Sequence, residues 1–181
     1  KKYLPTAVST IEATNLIVVD HNKRVVQMPM LACNFGLQLK EIMKDPAKAI
    51  AYGEHMKYRK IFLGKTEEGE SVTVEEFVGG SFVKYINNTG LLCVPEDDHF
   101  GQKAQCLSHF SFEKSGKKLM VVDIQGSEGN LYDPEVATSD VSDDDQLLFC
   151  AGNLVGIAIN NFIGHHECNK FCKLAELSQL L

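Results

Sequence analysis

The chain has 181 residues, 44% hydrophobic and 23% charged, with 18 basic and 24 acidic side chains and a net charge of −6. This is ordinary for a globular protein able to bury a core of useful size, and the acidic balance argues against nucleic acid as the main partner. No stretch reaches the ~18 apolar residues of a membrane span and no signal-peptide pattern opens the chain, so a cytoplasmic setting is expected.

The abrupt start at Lys1-Lys2-Tyr3-Leu4, without an initiator methionine, reads as a piece of something longer. Ile17–Asp20 reads as a short strand or the approach to a helix. From Arg24 to Met43, apolar residues at Met28, Leu31, Phe35, Leu39 and Ile42 predict a helix. Pro29 suits a first turn better than an interior position. A second helix is predicted from Pro46 to about Glu54. Tyr58–Gly64 and Glu70–Val78 read as two strands joined by a hairpin loop at Lys65–Gly69. Gly79-Gly80 ends the second, Phe82–Tyr85 begins a new element, and Asn87–Gly90 is a turn. A helix over Phe100–Glu113 leads through Lys114–Lys117 into an apolar strand, Lys118–Gln125. Ser139–Asp145 is an acidic, solvated loop. Phe149–Gly156 is a glycine-containing loop opening a helix at Leu154–Ile163, a weak anion-binding pattern.

Two stretches carry chemistry. The apolar strand ends on Asp123-Ile124-Gln125-Gly126, and Asp133-Pro134 closes the following loop. Strand alternation puts Leu119, Val121, Asp123 and Gln125 on one side, and Met120, Val122 and Ile124 on the other. An unpaired carboxylate costs free energy on an apolar strand unless it binds a cation or a partner. Asp123, Gln125 and Asp133 could together hold Mg²⁺ and phosphate oxygens, although an Asp at a strand end also serves as a plain turn former. The second stretch is His166-x-Cys168-x-x-x-Cys172. On a helix, Cys168 and Cys172 would share a face, and His166 would complete three zinc ligands. The fourth is open between His109 and His99, with His21, His55 and His165 as outsiders. The six cysteines fit a metal site in a reducing compartment better than a disulfide framework.

Several segments resemble the alpha-kinases, the atypical serine/threonine protein kinases. They are Val74–Tyr85 (VEEFVGGSFVKY), Asn87–Gly90 (NNTG), Leu107–Glu113 (LSHFSFE), Val122–Gly126 (VDIQG), Asp133-Pro134, Gly152–Leu154 (GNL) and the His166/Cys168/Cys172 cluster. The resemblance implies an α+β, two-lobed, protein-kinase-like fold. Residues 1–78 would form the remainder of the small lobe and the hinge, and residues 79–181 a zinc-stapled large lobe. The small lobe would be incomplete, because the chain starts near the expected phosphate lysine. It further implies transfer of the ATP γ-phosphate to a serine or threonine hydroxyl of a protein substrate. Asp123 matches the catalytic aspartate, which orients or deprotonates the incoming hydroxyl, and Lys1 (or Lys2) the lysine on the α- and β-phosphates. Glu75, Phe77 and Val78 match the adenine hinge, Gln125 and Asp133 the Mg²⁺ and phosphate groups, and Asn153 the loop near the phosphates. His109, His166, Cys168 and Cys172 match a structural zinc set. Glu128 departs from the family's Gly-Val-Gly loop and would add negative charge near the phosphates unless it points away. A catalytically impaired pseudokinase or zinc-stabilised interaction domain is the alternative.

Overall fold

The computed structural model describes residues 5–13, 17–139 and 156–180. Lys1, Lys2, Asn153 and nearly all of the two loops predicted over 139–145 and 149–156 lie outside them. The described helices are α1 (Pro5–Glu12), α2 (Val18–Ile42), α3 (Pro46–Tyr52), α4 (His99–Lys114), α5 (Gly156–His165) and α6 (Lys170–Leu174). The strands are β1 (Lys57–Tyr58), β2 (Ile61–Lys65), β3 (Ser71–Glu75), β4 (Val83–Lys84), β5 (Leu119–Val122), β6 (Gln125–Ser127), β7 (Asn130–Leu131) and β8 (Glu135–Thr138). No described helix is long and apolar enough to cross a membrane.

The long helix α2 buries Val25, Met28, Ala32, Phe35 and Leu39, spaced three and four apart as a helix face requires. Leu31 and Ile42, expected on that stripe, are only partly buried beside it. Pro29 lies in the helix interior, contrary to the first-turn expectation. An interior proline costs about 3 kcal/mol, and burial of several large side chains at about 1.5–3 kcal/mol each outweighs it. α3 starts where predicted, because Asp45 accepts hydrogen bonds from Ala47 N and Lys48 N and Pro46 occupies the first turn.

The expected hairpin is β2 against β3, antiparallel, with Leu63 opposite Thr73. β3 ends at Glu75, short of the predicted Val78. A second sheet has the order β1-β7-β6-β4, with β1 parallel to β7 and the other pairs antiparallel. Ser127 pairs with Asn130, so β6 and β7 are joined by Glu128-Gly129, both at positive φ (47° and 76°). That is the two-residue turn favoured by strand twist, and it leaves Glu128 exposed. Gly126, expected to end a strand, sits inside β6, where a Cβ would lie 2.0 Å from Asn130 O.

β5 pairs with β8 and is gripped on its other side by α4. Ser108 Oγ donates to Val121 O (2.7 Å), and Val121 N donates to Ser111 Oγ (2.9 Å). Two helical serines therefore satisfy the backbone groups that a neighbouring strand would otherwise take. Val121 faces a core of α2, α4 and α6 residues, while Met120 and Val122 face a second core with Phe112, Ala158, Ile159 and Phe162. The predicted alternation holds to this point. Ile124 then joins the Val121 side instead of the Met120 side. The cause is Asp123, whose φ of 49° breaks the strand and shifts its phase.

Candidate functional site

The break at Asp123 sets up the first cluster. Asp and Asn tolerate the left-handed region better than most residues, and Asp123 uses it to turn out of β5 before β6 begins. Its carboxylate is largely buried and meets Lys84 Nζ at 2.6 Å. Lys84 pairs with Gln125 across β4 and β6, so the two side chains share a face. The acid and the amide therefore lie beside one lysine, and a left-handed residue brings them there rather than the plain alternation expected. Gln125 Nε2 donates to the backbone carbonyl of Asp133 at 3.3 Å. Asp133 is also left-handed (φ 51°) and exposed. Burial raises the Asp123 pKa, and the Lys84 hydrogen bond and charge only partly oppose this. Glu135, at the start of β8, is pushed up to about 7 by burial and then by the charges of Asp123 and Asp133. Three carboxylates and one lysine thus converge between β4, β5, β6 and β8.

The second cluster joins the end of α5 to α4 and α6. His109, fully buried on α4, meets His166 with Nδ1 to Nε2 at 3.2 Å. Cys168 Sγ lies 3.7 Å from His109 Nδ1, and Cys172 Sγ lies 3.6 Å from His166 Nε2. All four ligand atoms fall within 4.8 Å of one another, so the group could hold a metal ion. A tetrahedral ion bonded at ~2.05 Å to nitrogen and ~2.3 Å to sulfur gives N···N edges of ~3.3 Å and S···N edges of ~3.6 Å. The observed edges match that size. His109 Nε2 sits 3.5 Å from Glu113, the outer carboxylate common behind metal-bound imidazoles. A hydrogen bond from Cys106, then those from His109 and His166, hold the Cys172 thiol pKa well below its ordinary value against burial. One expectation fails: Cys168 is not helical. Asn169 caps α6, accepting from Phe171 N and Cys172 N, and its amide donates to Gln102 O on α4. Cys168 thus precedes the cap, and the chain reversal brings the two thiols together instead of a shared helix face.

The family model of the alpha-kinase family matches residues 1–172 of this chain. The chain belongs to the alpha-kinase family. It is 39% identical over 101 residues to eukaryotic elongation factor 2 kinase of Homo sapiens, covering 55% of this chain and 13% of that protein. It is 30% identical over 154 residues to myosin heavy chain kinase A of Dictyostelium discoideum, covering 84% of this chain and 12% of that protein. Among solved structures it is similar to the inactive alpha-kinase domain of myosin heavy chain kinase A in complex with ATP. That match has a TM-score of 0.74 and 25% identity, covering 90% of this chain and 60% of that one. The chain therefore spans about 60% of the solved domain and only a small part of the curated relatives' length.

In this alpha-kinase chain the expected hinge residues are solvent-facing. Glu75 ends β3 and is exposed, Phe77 is 93% exposed, and Val78 is half-buried. Arg59 fastens this segment from beneath, reaching Glu76 Oε2 at 3.3 Å and Asn130 Oδ1 at 2.9 Å. Sequence reasoning missed Lys84 and Glu135. Lys84 had a signal: it is the single charge inside the apolar run Phe82–Ile86. Glu135 had none, because only the β5–β8 register, Val122 opposite Glu135, brings it beside Asp123.

Glu135 sets a pH dependence. An ordinary glutamate loses its proton near 4.5, whereas the folded chain holds this one to about 7. The folded state thus binds the extra proton between those values, and stability falls as pH rises through that window. In buffer free of Mg²⁺, Glu135→Gln should melt higher than the parent at pH 8 and equally at pH 4. The gain is about 1 kcal/mol, discounted for the group's partial access to water. Thermal melts across pH 4–8 measure it, and parallel curves would contradict it.

Proposed function

We propose that this chain is the catalytic part of an ATP-dependent serine/threonine protein kinase of the alpha-kinase type. The observation that carries the reading is the convergence of Asp123, Lys84, Gln125 and Asp133 on one surface, within a chain of this family. Asp123 would orient the substrate hydroxyl and take its proton as the oxygen attacks the γ-phosphorus and ADP departs. Lys84 would hold the carboxylate in place. Phosphoryl transfer needs mainly positioning and charge neutralisation, which this set supplies. Gln125 and Asp133 would hold Mg²⁺, which when bound neutralises phosphate charge. Phe77, with its open aromatic face, and the neighbouring Glu75 and Val78 would meet the adenine. Lys1 and Asn153 keep the phosphate roles that the family resemblance implies.

The four-residue cluster would hold a structural zinc through His109, His166, Cys168 and Cys172. Two thiolates and two imidazoles form a closed set with no open position for chemistry. Residues 1–78 and 79–181 would divide as small lobe with hinge and large lobe. None of the five described cysteines is in a disulfide, in keeping with the proposed reducing, cytoplasmic setting. The pseudokinase reading is disfavoured by membership of a kinase family and by the likeness to solved alpha-kinase domains.

Incubation of the full-length protein with γ-labelled MgATP and a protein acceptor tests the reading. Label should appear on serine or threonine hydroxyls of the acceptor after acid hydrolysis. Release of free phosphate alone would instead indicate a metal-dependent hydrolase, and no turnover with no nucleotide binding an interaction domain.

A further inference from the structure

The backbone of Asp123 is held as well as its side chain. Its N–H donates to Asn87 O at 3.3 Å, and the next carbonyl, Ile124 O, accepts from Tyr85 N (2.8 Å) and Ile86 N (3.1 Å). Asn87 O belongs to a turn organised by the Asn87 side chain. Its Oδ1 accepts from Thr89 N (3.0 Å), Thr89 Oγ1 (2.7 Å) and Leu91 N (2.9 Å). Asn87 N donates to Leu91 O and Gly90 N donates to Asn87 O, closing the turn. Gly90 has a φ of 82°, and a Cβ there would lie 2.2 Å from Ala158 O, so the turn presses directly on α5. From α5, Asn161 Nδ2 donates to Thr89 O at 3.1 Å. Four residues after His165 closes the Asn161 turn with its own ring-to-carbonyl bond (2.8 Å), the chain has passed His166 and Cys168 of the metal cluster.

The geometry points to Asn87 as a positioning residue for Asp123, with Asn161 registering the Asn87 turn against α5. A left-handed non-glycine residue costs about 1–2 kcal/mol, so Asp123 keeps its conformation only while its surroundings impose it. Released from Asn87 O, the backbone relaxes toward the extended region and carries the carboxylate away from its place. A displacement of about 1 Å can cost on the order of 10²-fold in rate. The inference rests on the reading of Asp123 as the group that acts on the substrate hydroxyl.

All three partners of Asn87 Oδ1 are donors, which gives a sharp test. Asn87→Leu removes the acceptor at similar volume, and Asn87→Asp keeps it. In the full-length protein with MgATP and a protein acceptor, Asn87→Leu should lower kcat about 10²-fold, with the KM for ATP changed less than about threefold. Asn87→Asp should recover most of that loss. Asn161→Leu should give a smaller loss of the same kind. Amide exchange at Asp123, which needs no activity, should speed up in Asn87→Leu and Asn161→Leu and stay slow in Asn87→Asp. Unchanged kcat and exchange in folded Asn87→Leu would overturn the inference, as would a loss that Asn87→Asp fails to repair. If Asn87→Leu does not fold, Asn161→Leu decides by the same two readouts. Failure of the parent protein to transfer phosphate would sink the kinase reading alone, and the exchange data would still judge the clamp.

Discussion

Asp123→Asn should lower turnover about 10²- to 10⁴-fold, the usual contribution of a positioned general base, while the protein stays folded. The substitution keeps shape and an acceptor oxygen, so Lys84 Nζ, now 2.6 Å from Oδ1, retains a partner. Lys84 is also partly exposed, so water can take over whatever the amide does not satisfy. Burial outweighs the attraction of Lys84 and disfavours the charged form of Asp123, so the lost ion pair is offset by the lower cost of burying a neutral amide. The melting temperature should move by no more than about 3 °C, and ATP affinity by less than about threefold. Initial rates with a protein acceptor, beside a thermal melt and a nucleotide titration, separate the terms. Near-normal turnover in the variant would remove Asp123 from the mechanism.

Stripping the metal should unfold the C-terminal part of the chain. His109 is on α4, His166 and Cys168 follow α5, and Cys172 is on α6, so one ion would cross-link three segments. Structural zinc contributes apparent free energies of about 10–16 kcal/mol in small zinc-binding peptides, as large as the whole stability of a typical domain at about 5–15 kcal/mol. The same segment buries Phe171 and Cys172 in the main core. A strong chelator should lower the melting temperature by more than about 15 °C, and added zinc should restore it. Cys172→Ser should behave like the stripped protein. Elemental analysis should find one zinc per chain; none, or a melt indifferent to the chelator, would end the assignment.

The elements that follow from side-chain periodicity were readable in advance. The β2–β3 hairpin, most of the α2 stripe and the two faces of β5 up to Val122 depend on local periodicity, which a sequence carries openly. Asp123 is where that reading stops, because a single left-handed residue reverses every later side chain and no neighbour announces it. Pro29 misled because local propensity was weighed without the long buried face that α2 gains from α4 and the sheet. The spacing of Cys168 and Cys172 fits a helix, yet Asn169 between them caps α6 and leaves Cys168 outside it. His109 could not be chosen over His99 from spacing, since only the packing of α4 against α6 decides it. In the fold His99 lies against the rings of Phe100 and Phe171 instead.

The two serines of α4 that hold Val121 have a consequence beyond packing. A strand with open hydrogen-bonding groups is a template for other chains, the usual start of edge-to-edge aggregation. Here the template is blocked from within the same molecule, by hydroxyls that no foreign strand can displace without first prying a helix loose. The segment leading to Asp123 is thereby shielded along that edge from pairing with another chain.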